Sequence, residues 1–160
     1  MTPFFLPIFS VQNLSFLLLA LAFIPIAIID FRYRLIPDVI TYPMMVFGFL
    51  FSFLPGGMTP SNALVGFLLG GGGLYLIALL GQWFLKKEGM GGGDIKLMAG
   101  VGAMAGPVAV IMTLFIGSWL ALLFLLSRKI RGEALRGHEI PFGPFLAGGF
   151  WLYLALFSLV

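Results

Sequence analysis

Apolar residues in this chain come in long blocks, not in the alternation of strands or the one-sided stripes of surface helices. Five blocks stand out: 11–29, 39–54, 62–85, 95–127 and 142–160. A helix needs about 20 predominantly apolar residues to cross the hydrocarbon core of a bilayer. The block 39–54 is somewhat short and ends at Pro55-Gly56-Gly57, while 95–127 is too long for one crossing. Gly106-Pro107 offers the break inside it, because proline interrupts a helical ladder. The pattern predicts transmembrane helices over 11–29, 39–54, 62–85, 95–106, 107–127 and 142–160 in one domain, 1–160. The first is a permanent helix by this reading, since 1–13 carries no Lys or Arg and lacks the basic start of a signal peptide.

Charge fixes the expected topology. The nine basic residues fall in three segments: Arg32 and Arg34; Lys86, Lys87 and Lys96; Arg128, Lys129, Arg131 and Arg136. Basic connections stay on the cytoplasmic side. The second and third segments share that side only if the chain between them crosses an even number of times. Pro107 then lies at an outer turn, the bundle has six crossings, and the amino terminus is outside. The short fourth helix spans only about 18 Å at 1.5 Å per residue. It should therefore begin below the membrane surface or beside a water-filled region.

Composition agrees with lipid as the main solvent. Hydrophobic residues make up 61% of the 160 and charged ones 9%, against roughly a quarter charged in soluble domains. There is no cysteine, which removes disulfides, thiolate metal sites and a cysteine nucleophile. The glycines at 70–73, 91–93, 100, 102 and 106 suit close helix–helix approach in lipid.

All six acidic residues fall on the expected cytoplasmic side: Asp30, Asp38, Glu88, Asp94, Glu133 and Glu139. Asp30 directly follows an apolar block and Asp94 directly precedes one, and ionisable groups at such depth mark function. Alone, Asp94 is equally well a helix cap, and Asp30 a partner for Arg32 or Arg34. As a pair they are the sharper account, since no other nucleophile, base or metal cluster is available. Two close carboxylates share a proton. One then activates water while the other polarises a carbonyl. That is aspartic-protease chemistry, needing no cofactor and no metal. The competing reading is a small transporter or proton-conducting subunit that relays protons through the same acids.

Three stretches carry a family resemblance: Asp30-Phe-Arg-Tyr-Arg-Leu-Ile-Pro-Asp38, Gly91-Gly-Gly-Asp94-Ile-Lys96-Leu and Ile140-Pro141-Phe-Gly143-Pro144-Phe. Together they resemble the signatures of the type IV prepilin peptidases, polytopic aspartic proteases with a GxGD motif. Asp30 and Asp94 lie 64 positions apart, which is similar to the family's spacing. The resemblance implies Asp30 and Asp94 as catalytic residues. It makes Gly91, Gly93, Lys96, Pro141, Gly143 and Pro144 supporting or substrate-binding positions. Presenilin-like relatives of the GxGD group carry Pro-Ala-Leu where this chain has Pro-Phe-Gly-Pro.

The implied partners are prepilin or pseudopilin precursors of type IV pili or type II secretion, each with a basic leader before a hydrophobic helix, together with the lipid bilayer; no nucleic acid is expected. The implied location is the bacterial inner membrane, with the site facing the cytoplasm. Bifunctional members have an amino-terminal segment with paired CxxC motifs, absent here, so methylation of the product is not expected. Of the remaining groups, Asp38 is expected to cap the second helix, and Lys96 to snorkel to the interface. Glu88, Glu133 and Glu139 are candidates to attract a basic leader, and His138 is expected to be a plain surface residue.

Overall fold

The computed structural model describes residues 10–85, 91–132 and 141–157. Lys86, Lys87, Glu88, Glu133, Arg136, His138 and Glu139 lie outside the described residues. Every regular element within them is helical: α1 (Val11–Tyr33), α2 (Asp38–Ser52), α3 (Pro60–Phe67), a π turn (Leu68–Gly73), α4 (Leu74–Leu85), α5 (Gly92–Ile130) and α6 (Gly143–Phe157). Three helical stretches, Val11–Tyr33, Pro60–Phe84 and Gly92–Ile130, are long and apolar enough to cross a membrane. Asp38–Ser52 and Gly143–Leu156 are shorter apolar helices.

Local chemistry explains the boundaries. Ser10 caps α1 by accepting the Asn13 N–H at 3.2 Å. The same helix runs past the expected residue 29, so Asp30 lies in its last turns. It stops at Arg34, whose left-handed backbone (φ 54°) lets its N–H reach the Asp30 carbonyl at 2.8 Å. Pro60 opens α3 at a position where its missing N–H costs nothing. In the middle of Pro60–Phe84, the run Leu68–Gly73 widens to a π turn. Gly72 and Gly73 have open space beside them, so they are not the close-approach glycines the sequence suggested.

A straight 39-residue helix would be about 58 Å long, nearly twice the hydrocarbon thickness. The chain avoids this by breaking at Gly106, where φ 83° and ψ 178° are non-helical. A side chain there would be strained by the dihedral and would meet Met58 Sδ at 2.7 Å. α5 thus consists of two limbs joined at Gly106-Pro107.

The first limb is the centre of the bundle. Leu97 to Gly106 is buried without interruption, and α5 packs against α2, α3, the π turn and α6. Small residues permit this, as lipid offers no hydrophobic drive between helices and backbones must approach closely. Gly66 and Gly102 meet backbone to backbone, and a Cβ on Gly48 would sit 2.6 Å from the Ala103 carbonyl carbon. Around this hub Leu19, Phe23, Ile26, Leu146 and Phe150 close the core between α1 and α6, with the Phe23 and Phe150 rings stacked at 5.1 Å. Trp151 Nε1 also donates to the Ala20 carbonyl at 3.2 Å. The outer faces are covered with exposed Leu, Ile, Val, Phe and Trp, as a surface solvated by acyl chains requires.

Candidate active site

Polar groups gather where α1 ends, α2 and α5 begin, and α6 starts. A cavity of about 490 Å³ lies there, lined by Asp30, Arg34, Leu35, Ile36, Asp38, Gly91, Gly92, Gly93, Asp94 and Lys96. It sits at the start of the short first limb of α5. Both aspartates singled out from the sequence are on its wall, brought from opposite chain directions by the end of one helix and the start of another.

Asp30 is held firmly, being only 6% exposed. Its Oδ2 accepts the backbone N–H of Gly143 at 2.8 Å, a buried bond between residues 113 apart. Gly143 is the first residue of α6, so its N–H is one of those that no intrahelical carbonyl can satisfy. A Cβ on Gly143 would stand 2.7 Å from that same oxygen. Glycine is thus required because the carboxylate occupies the side-chain position. Pro144 follows in the first helical turn, where proline is tolerated. The Phe142 carbonyl accepts the N–H groups of Phe145 and Leu146 at 3.0 Å each. Pro141 and Pro144 are half-buried and do not line the cavity; their part is the entry into α6.

Asp94 is in the first turn of α5, and its N–H bonds back to the Gly91 carbonyl at 3.1 Å. The glycines before it have distinct reasons. A Cβ on Gly91 would come 3.3 Å from Asp94 Oδ2, and one on Gly93 would press Ile36 Cβ at 2.9 Å. Gly93 therefore lets the start of α5 dock against the α1–α2 connection, with Asp94 on the same cavity as Asp30. Gly92 has nothing within 4 Å.

One expectation is corrected. Asp38 does not cap α2: Pro37 is the cap residue and no side chain bonds there. Lys96 gains a partner the sequence did not show: its Nζ lies 2.8 Å from both Asp38 oxygens and 5.3 Å from the centre of the Tyr42 ring. An ammonium satisfies both carboxylate oxygens at once, which a single backbone amide cannot do. Asp94 and Lys96 also line one cavity despite their two-residue spacing, because the cavity wraps the end of α5 instead of lying along one face. Reasoning from the sequence missed the Gly143 bond to Asp30 and the Ile36 contact with Gly93. The Pro-Phe-Gly-Pro run was the only sequence signal of the first, and nothing marked the second. No group of three or more His, Cys, Asp or Glu that could hold a metal occurs among the described residues.

A bundle of apolar helices, three of them long enough to cross a membrane, with two aspartates on the wall of one cavity, has the make-up of a helical membrane protein. The chain belongs to the type IV leader peptidase family, whose model matches residues 16–126. It is 33% identical over 150 residues to a prepilin leader peptidase/N-methyltransferase of Aeromonas hydrophila, covering 89% of this chain and 49% of the relative. The Pseudomonas aeruginosa protein of the same description is 32% identical over 150 residues, covering 91% and 50%. That of Neisseria gonorrhoeae is 31% identical over 141 residues, covering 88% and 48%. The chain spans about half the length of these curated relatives. No solved structure matches it.

Proposed function

We propose that this chain is an aspartic endopeptidase that removes the basic leader of prepilin or pseudopilin precursors. The observation that carries the reading is the presence of Asp30 and Asp94 on one cavity in a member of the leader peptidase family. In the proposed reaction the pair holds one proton between them. The ionised carboxylate takes a proton from water as the water oxygen attacks the scissile carbonyl carbon, and the protonated one donates to the carbonyl oxygen. The tetrahedral intermediate then collapses, breaking the C–N bond, and the nitrogen leaves as an amine with a proton returned by the dyad. In this reading the Gly143 N–H occupies Asp30 Oδ2, and Oδ1 is the oxygen that takes the shared proton.

The proposed setting is the bacterial inner membrane, with six crossings, the amino terminus outside and the cavity on the cytoplasmic face. Support comes from the three basic segments and from the break at Gly106, which lets α5 turn back and keep both of its ends on one side. A leader that precedes a hydrophobic helix presents its scissile bond at that level. Supporting roles for Gly91, Gly93, Lys96, Pro141, Gly143 and Pro144 belong to the same proposal.

The test is cleavage of a prepilin-like peptide by the purified chain in detergent. Cleavage that disappears in both Asp30→Asn and Asp94→Asn is the expected result. Retention in either variant would remove the dyad.

A further inference from the structure

Asp38 is a third carboxylate on the cavity wall, and the hydrolysis proposed above does not use it. The geometry points to Asp38 as the residue that receives a lysine or arginine side chain of the incoming peptide, with Lys96 holding that place beforehand. This inference rests on the peptidase reading and adds a basis for choosing substrates.

Among the described residues the acids are Asp30, Asp38 and Asp94, and all three line the cavity. Two are taken by the proposed chemistry, so among the described residues Asp38 is the carboxylate left to meet a charge on the substrate. Its carboxylate has no capping duty in α2. What it binds already describes what it accepts: a primary ammonium on a flexible stem, held at 2.8 Å by both oxygens.

The contact is exchangeable. The Lys96 and Asp38 side chains are 37% and 50% exposed, and ion pairs at such exposure contribute only a few-fold to an equilibrium. In the same pose the Lys96 Nζ lies 5.3 Å from the centre of the Tyr42 ring, an aromatic face that can go on holding the ammonium once the carboxylate is taken. A peptide whose scissile bond is seated at Asp30 and Asp94 carries its own cation tethered a few residues away. Tethering raises the effective concentration of that cation into the millimolar range, enough to displace a weakly held internal partner.

The experiment uses the full chain in detergent and two synthetic peptides. One has a lysine-containing leader ending in glycine before an apolar segment; the other has glutamine in place of each lysine. The wild type should prefer the lysine peptide. Asp38→Asn should raise KM for the lysine peptide and shrink the preference about fivefold, the scale of one partly exposed pair. Asp38→Glu keeps the carboxylate and should retain the preference. Lys96→Gln removes the internal competitor and should lower KM for the lysine peptide a few-fold. Opposite signs for the Asp38 and Lys96 substitutions are the signature, because a mere brace between α2 and α5 would weaken on losing either end. The inference is overturned by a wild type indifferent to leader charge, or by unchanged preference in Asp38→Asn. It is also overturned if both substitutions depress kcat and the exchanged pair D38K/K96D restores it. A wild type that cleaves neither peptide removes the peptidase reading itself, and this inference with it.

Discussion

Gly143 and Asp30 are joined by a buried hydrogen bond of 2.8 Å, the glycine N–H donating to the carboxylate Oδ2. The bond links the end of α1 to the start of α6 and holds the carboxylate where a Cβ on residue 143 would be. A methyl group at 143 cannot be added without moving that oxygen. Gly143→Ala should therefore insert and fold but lose the bond and shift Asp30. Hydrogen bonds to charged groups contribute about 1.5–3 kcal/mol, so peptide cleavage should fall roughly 10- to 100-fold. Assaying kcat for this variant in detergent checks it, and wild-type turnover would detach Gly143 from the site.

The two dyad substitutions should behave alike and Asp38 should not. Asp30→Asn and Asp94→Asn each remove an ionisable group while preserving shape, so both should abolish cleavage and still reach the membrane. Asp38→Asn should go on cleaving. A peptide assay on membrane-extracted variants decides the matter: an inactive Asp38→Asn beside an active Asp30→Asn would reassign the dyad.

Reporter fusions test the crossing number. Fusions after Gly56 or Pro107 should read outside, and fusions after Arg34 or Arg131 inside. An inside reading at Pro107 would mean that α5 does not turn back at Gly106, and the six-crossing proposal would go.

Carboxylate chemistry of this kind asks for no metal. Cleavage should persist in excess chelator, and loss of cleavage there would count against the dyad as sole catalyst.

Gly102 tests the packing of the hub. Its backbone lies directly on that of Gly66, so Gly102→Val must push α3 from α5. Overpacking of this kind costs about 1–3 kcal/mol or more, and the thermal transition in detergent should fall by several degrees. An unchanged transition would mean that the two helices separate freely.

The helical class and helices long enough to cross a membrane were legible in the sequence alone. Long apolar blocks and scarce charge have one physical outcome, backbone hydrogen bonds satisfied within helices in lipid. Asp30 and Asp94 stood out because an ionisable residue abutting such a block is costly, and the structure sets both on one cavity. The break at Gly106-Pro107 was legible too, since charge on both flanks required a turn and only that dipeptide offered one. Tertiary structure decided everything that depends on residues far apart in the chain. Gly143 reaches Asp30 across 113 positions because α1 and α6 pack together, and no local pattern encodes which amide faces which carboxylate. Asp38 looked like a cap because caps are local, yet Lys96, 58 residues away, claimed both its oxygens. Helix starts and charged pairs compete for the same side chains, and the distances that settle that competition exist only once the helices are packed.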